Sequence, residues 1–120
     1  MFHINIDKIG DATVIECGGK LDNKDDALRL RDAVTTETDA KIVVLDLSEL
    51  YALENGGLGM LIFLQRWSLD HNIRLKVFNP SLSVRARLEL VSVMSDFEIV
   101  NLPEVIALLE ENEQSYSLAA

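Results

Sequence analysis

The stretch "LYALENGGLGMLIFLQRW" sets a carboxylate (Glu54), an amide (Asn55) and three glycines (Gly56, Gly57, Gly59) directly before an apolar run. Three uses fit such a composition: a phosphate cradle at a helix N-terminus, a turn that presents a reactive side chain, or a backbone bend that only glycine permits. The first is disfavoured. The spacing fits neither G-x-x-x-x-G-K-[ST] nor G-x-G-x-x-G, no lysine follows to meet a phosphate, and Glu54 would repel one. The residues favour the third use, with the glycines permitting an unusual turn and close packing of a buried helix end.

Other candidates for chemistry are weaker. His3, His71 and Cys17 share no ligand-like spacing, so no metal site is expected. His71 is accounted for by the negative end of a helix dipole. Cys17 is the single cysteine and is flanked by apolar residues, the pattern of core packing and not of a reactive thiol. No Ser, Cys or Thr sits beside a base in a recognisable nucleophile motif. Glu110 and Glu111 read as a solvated helix face. The residues give catalysis little support, and neither an enzyme nor a cofactor is expected.

The elements that must position the Gly-rich stretch follow from periodicity. "FHINID" and "ATVIECGG" read as strands joined near Gly10 and Asp11. A helix follows, with Asn23 as N-cap, Asp25 and Asp26 in its first turn, and Ala27, Leu30 and Val34 inward. "KIVVLDL" is a strand buried on both faces. A second helix is expected from Leu58 to His71, starting deep in the structure. "IRLKVF" reads as a strand, with Ile73, Leu75 and Val77 alternating against Arg74 and Lys76. Pro80 and Ser81 open a third helix with Val84, Leu88 and Val91 inward. "FEIV" is a short last strand, and Pro103 opens a closing helix with Val105, Leu108 and Leu109 inward. The order ββαβαβαβα implies an α/β domain with a largely parallel later sheet. A single domain is expected over 1–112, with a frayed tail over 113–120.

Composition sets outer bounds. The chain has 120 residues, 48% of them apolar and 26% charged, enough for one ordinary core. A net charge of -9 argues against nucleic acid and against an anionic membrane surface. The apolar run from Leu58 to Leu64 is too short to span a bilayer, and the N-terminus lacks signal-peptide character, so a cytoplasmic location is expected. A charged partner should be basic where it touches this chain.

Three segments together resemble the STAS domain, typified by bacterial anti-sigma factor antagonists: "GKLD" (Gly19–Asp22), "VVLDLSELYALENGGLGMLI" (Val43–Ile62) and "LKVFNPSLSVRARLELVSVMSDFEIV". The second aligns without a gap to the family's "VVLDLSGVxFIDSSGLGxLL". The resemblance spans nearly the whole chain and implies a central mixed sheet of about five strands with helices mainly on one face. In switching antagonists the second serine of D-S-S-G is phosphorylated by the partner anti-sigma factor, a kinase, and this releases the partner. Here Glu54 stands at the Asp position, Asn55 at the first Ser and Gly56 at the second, which leaves no hydroxyl to phosphorylate.

The resemblance therefore implies a protein-binding module without the usual switch, whose partner is an anti-sigma factor or a related histidine-kinase-like regulatory protein. Its contact surface would comprise Glu54, Asn55, Gly56 and Gly57, together with Asp22 and its neighbours Asn23 and Lys24. Met60 would be an apolar anchor or a core residue. Glu54 and Asp22 should together create local negative potential. Two other readings stay open: a STAS subunit of a bacterial lipid-transport ABC complex, and a small-ligand or nucleotide-sensing domain. Oligomeric state is not legible from these residues.

Overall fold

The structure, a computed structural model, describes residues 1–119, with side chains through residue 111. Strands β1 (Phe2–Ile9) and β2 (Ala12–Leu21) form a hairpin, followed by α1 (Lys24–Thr35), β3 (Ile42–Leu53), α2 (Asn55–Asp70), β4 (Arg74–Phe78), α3 (Leu82–Leu90), β5 (Glu98–Val100) and α4 (Leu102–Ala119). The strands lie in the order β1-β2-β3-β4-β5; only β1 is antiparallel to its neighbour. The expected mixed sheet of five strands is present. The expected frayed tail over 113–120 falls on residues whose side chains lie outside the described part.

Strand alternation divides the apolar residues between two faces. Ile15 and Cys17 of β2, Val43, Leu45 and Leu47 of β3, and Leu75 and Val77 of β4 share one cluster with α1, α2 and α3. Ala12, Ile42, Val44 and Val100 share the opposite one with Val105 of α4, backed by Leu108 and Leu109. Three helices thus cover one face, and α4 alone covers part of the other. Val43, Val44 and Leu45 are essentially inaccessible, as required of a central strand covered on both sides.

Helix boundaries have local causes. Asn23 caps α1 by accepting from the Asp26 amide at 2.8 Å, while its own amide donates to the Asp26 carboxylate at 2.9 Å. Ala27, Leu30 and Val34 are the buried residues of α1, as the spacing predicts. Ser81 caps α3 by accepting from the Val84 amide. Asn101 and Glu104 reciprocally close the first turn of α4, a capping-box arrangement. Val84 and Leu88 of α3 are buried, and Val91, half-buried, packs against the same core just past the helix end.

The structure differs from the sequence reading at three places. Strand β3 runs to Leu53, not Leu47, because its second half pairs with β2 through Gly19↔Leu50, Lys20↔Ala52 and Leu21↔Leu53. Helix α2 begins at Asn55, so the glycines form its first turns and not a loop before it. Glycine's poor helix propensity hides that start from sequence.

The third difference is Lys76, read with Arg74 as the polar side of β4 but buried, with its ammonium paired to the Glu98 carboxylate on β5. The pair ties β4 to the short edge strand. Glu98 remains mostly exposed, which tempers the energy of the pair. Glu98→Ala should strand a buried ammonium and cost about 1–3 kcal/mol. Lys76→Met should stay within about 1.5 kcal/mol of the parent, because an apolar side chain of similar volume suits the site. Urea unfolding of both variants checks the asymmetry.

Candidate functional site

The carboxyl ends of β2 and β3 bring the two predicted site segments together. The Glu54 amide donates to the Leu21 carbonyl at 3.0 Å, which joins the end of β3 to the end of β2. Helix α2 then starts directly beneath the Leu21–Lys24 connection. A Cβ on Gly57 would lie 2.6 Å from both the Leu21 carbonyl oxygen and the Leu21 Cγ, and 2.9 Å from Leu53 Cδ1. No side chain fits there. The backbones touch because residue 57 is glycine.

The remaining two glycines have different roles. A Cβ at Gly56 would meet the Asp22 carbonyl oxygen at 3.0 Å, a tight contact that would require the backbone there to give by a few tenths of an ångström. At Gly59 it would meet nothing within 4 Å. Gly59 is thus dispensable for packing and leaves a bare patch on the exposed side of α2.

Of the predicted contact residues, Asn23, Lys24, Glu54, Asn55 and Gly56 are exposed, and Asp22 and Met60 are half-buried. Gly57 is buried. Its expected place on the contact surface is corrected: it is a packing residue, hidden by Leu21 and Leu53. Asn23 is exposed, but its side chain is engaged as the α1 cap. Met60 packs against the main core, and Phe63, one turn further along α2, is 47% exposed.

The electrostatics also differ from the expectation of local negative potential. Arg87 on α3 reaches the α2 start, donating to the Asn55 side-chain oxygen at 3.3 Å and approaching the Glu54 carboxylate at 3.8 Å. Lys20 stands 3.5 Å from Asp22. Both carboxylates at the site therefore have a cation beside them, and the surface is close to neutral despite the charge of the whole chain. Arg87 is the residue that sequence reasoning missed. Its partner lies 32 positions away, and the only sequence signal is its place on α3 next to inward-facing Leu88.

Elsewhere the chemistry is quiet. Cys17 is buried, and burial, with the nearby Asp46 carboxylate adding to it, pushes its thiol from 9.0 up to about 12. His71 caps the C-terminal end of α2, with Nδ1 2.8 Å from the Trp67 carbonyl and its ring stacked on Trp67. Ser48 is held by Asp46 and by an Asn79 amide at 3.2 Å. Among the described residues no group of His, Cys, Asp and Glu side chains is arranged to hold a metal ion. No described helix is long and apolar enough to cross a membrane.

A five-stranded mixed sheet, three helices on one face, and a surface where the ends of β2 and β3 meet the start of α2 define a class. The chain belongs to the STAS domain family, whose model matches residues 3–108. Among solved structures it is similar to an anti-sigma factor antagonist from Mycobacterium paratuberculosis, with a TM-score of 0.75 and 17% identity over 92% of this chain and 95% of that one. SpoIIAA, an anti-sigma factor antagonist and Bacillus cell fate determinant, superposes in its unphosphorylated form with a TM-score of 0.72 and 17% identity over 92% and 97% of the two chains. The murine anion transporter Slc26a9 contains the same fold, with a TM-score of 0.72 and 12% identity over 88% of this chain and 18% of that one. No curated protein matches the chain.

Two predictions follow from the geometry of the site. Gly57→Ala should destabilise the domain by about 2–4 kcal/mol, since the new methyl meets backbone that cannot retreat, whereas Gly59→Ala should stabilise it by about 0.5–1 kcal/mol through helix propensity alone. Thermal melts of the two variants should move in opposite directions. For Cys17, the folded thiol holds its proton to about 12 while the unfolded one releases it near 9.0. Between those values the unfolded state binds fewer protons, so stability should fall as pH rises, by up to about 1.4 kcal/mol per pH unit. Denaturation midpoints above pH 9 should show this loss in the parent and lack it in Cys17→Ala.

Proposed function

We propose that this chain is a non-catalytic regulatory module that binds a protein partner, an anti-sigma factor or a related histidine-kinase-like protein, without phosphorylation at the family's usual serine position. One observation supports this reading. Gly56, which the motif resemblance aligns with the acceptor serine and which has no hydroxyl, is exposed where the Leu21–Lys24 connection meets the start of α2. The Asp22 carbonyl, 3.0 Å from where a Cβ would sit, occupies part of the space a serine side chain would use.

The partner would dock across Asp22, Lys24, Glu54, Asn55 and the bare helix surface at Gly56 and Gly59, with Phe63 at its far edge. Because Lys20 and Arg87 neutralise the two carboxylates, shape and apolar contact contribute most of the affinity, and charge mainly tunes the rate of association.

Gly59 offers a sharper steric test than Gly56, since a side chain there enters open space and leaves the fold intact. With a partner identified by pull-down and purified, Gly59→Trp should weaken binding at least about tenfold, or about 1.4 kcal/mol, with little change in melting temperature. For a partner basic at the contact, Glu54→Lys should slow association and Arg87→Glu should speed it. Both effects should shrink as salt shortens the Debye length to about 10 Å and below. Parent-like binding by Gly59→Trp would remove this surface as the interface.

A further inference from the structure

The strand order leaves two edges, β5 with 3 residues and β1 with 8. An open edge presents unpaired amides and carbonyls, and proteins usually blunt it with a bulge, a proline or a very short strand. Strand β1 has none of these. Its sequence "FHINIDKI" contains no proline, and its ladder with β2 runs from Phe2↔Gly19 to Ile9↔Ala12 without a register shift. From Asn5 to Lys8 every residue is exposed, Ile6 to 41%.

The hairpin fixes which backbone groups face outward. Its loop is Gly10 and Asp11, so Ile9 and Ala12 are a hydrogen-bonded pair. Antiparallel alternation then points the amides and carbonyls of Asp7, Asn5 and His3 at β2, and those of Lys8, Ile6, Ile4 and Phe2 at the open edge. The Phe2 carbonyl already accepts from Arg29 Nη1 at 3.0 Å. What remains is an edge centred on Ile4 and Ile6.

We propose that this edge pairs with the same edge of a second copy, the two β1 strands antiparallel about a twofold axis through Asn5, so that the two sheets join into one. Complementarity along the strand selects a second copy in this register. Ile4 of each copy stands opposite Ile6 of the other. Both face outward, so their amides and carbonyls exchange hydrogen bonds on either side of the axis, an isologous contact. Opposed residues share a face of the sheet, which sets the exposed Ile6 beside the half-buried Ile4 as a β-branched cross-strand pair. On the other face Asn5 meets Asn5, and the His3 imidazole stands opposite Asp7, whose carboxylate has no ion pair among the described residues. Moving the axis to Ile6 would set Ile4 against Lys8 and His3 against Ile9. Moving it to Ile4 would set Phe2 against Ile6 and take Asp7 away from His3.

Charge does not oppose the contact. Strand β1 holds one acidic and one basic residue, Asp7 and Lys8, within a chain of -9. The register brings Lys8 of one copy to the end of the other that holds Phe2 and Arg29. Each of these cations has its own carboxylate, Lys8 with Glu37 at 3.4 Å and Arg29 with Asp26 at 3.2 Å. Glu16, behind Asn5 on β2, would stand about 14 Å from its counterpart, three strand spacings and more than a Debye length of about 10 Å. The interface does not depend on the partner surface proposed above.

The test is the solution state of the intact chain, followed by the register of its contact. Sedimentation equilibrium from about 1 µM to about 1 mM should show a monomer–dimer equilibrium. Ile6→Lys should shift it at least about tenfold toward monomer, with the circular dichroism of the dilute protein unchanged. Ile6→Pro should do the same, since the amide it removes faces the edge and not β2. A non-hydrogen-bonded antiparallel pair holds its Cα atoms about 4.5 Å apart, within disulfide reach. Under mild oxidation Asn5→Cys should therefore link to itself, and His3→Cys to Asp7→Cys in a mixture. Neither Asp7→Cys alone nor the exposed control Ser92→Cys should form such a link, and Cys17, being buried, stays silent. A parent that is monomeric at every concentration overturns the proposal, including one whose β1 edge takes a strand from a different protein. So does a dimer insensitive to Ile6→Lys, or an Asn5→Cys variant that links no faster than Ser92→Cys.

Discussion

The close approach of α2 to the Leu21 carbonyl is the constraint on which the arrangement of the β2 and β3 ends around the helix start depends. At Gly57 the helix backbone touches the end of β2 without an intervening side chain, and the Glu54 amide fixes the same carbonyl from the end of β3. This contact sets how deeply α2 sits on the sheet. From it follow the burial of Leu58, Leu61 and Leu64 beneath the helix, the exposure of Gly56 and Gly59 above it, and the adjacency of Asp22 to Gly56. A side chain at 57 would lift the helix start and separate the two segments that form the surface.

A second consequence is electrostatic. With α2 seated at that depth, its first residues lie within reach of α3, and Arg87 closes on Asn55 and Glu54. Sequence composition describes an acidic protein, but the local field at this surface is set by pairs that composition cannot show. Exposed pairs of this geometry stabilise the fold little. Their effect is local: each of the two carboxylates has a cation beside it in an otherwise acidic chain.

The fold itself is shared by proteins that do different things. It occurs in anti-sigma factor antagonists and as a small part of a much longer anion transporter. Similarity at 12–17% identity speaks to architecture, and function has to be argued from the surface. On that surface position 56 is an exposed glycine without a hydroxyl, held 3.0 Å from the Asp22 carbonyl at its Cβ position.

The sequence by itself determined the element order, the two-sided burial of Val43–Leu45, the Asn23 cap and the opening of a helix at Ser81. Each of these is written in short-range patterns: period-two or helical spacing, a capping residue before a helix, a continuous apolar run. What only the tertiary structure decided is long-range. Strand β3 extends to Leu53 because β2 is there to pair with it, and Lys76, buried in β4, finds its carboxylate partner Glu98 22 residues away. The three glycines, indistinguishable in the sequence, separate into an obligatory one at 57, a tight one at 56 and a free one at 59. That distinction depends on which atoms of Leu21, Asp22 and Leu53 stand within 3 Å or so of each Cβ position, and such distances exist only after the chain has folded around them.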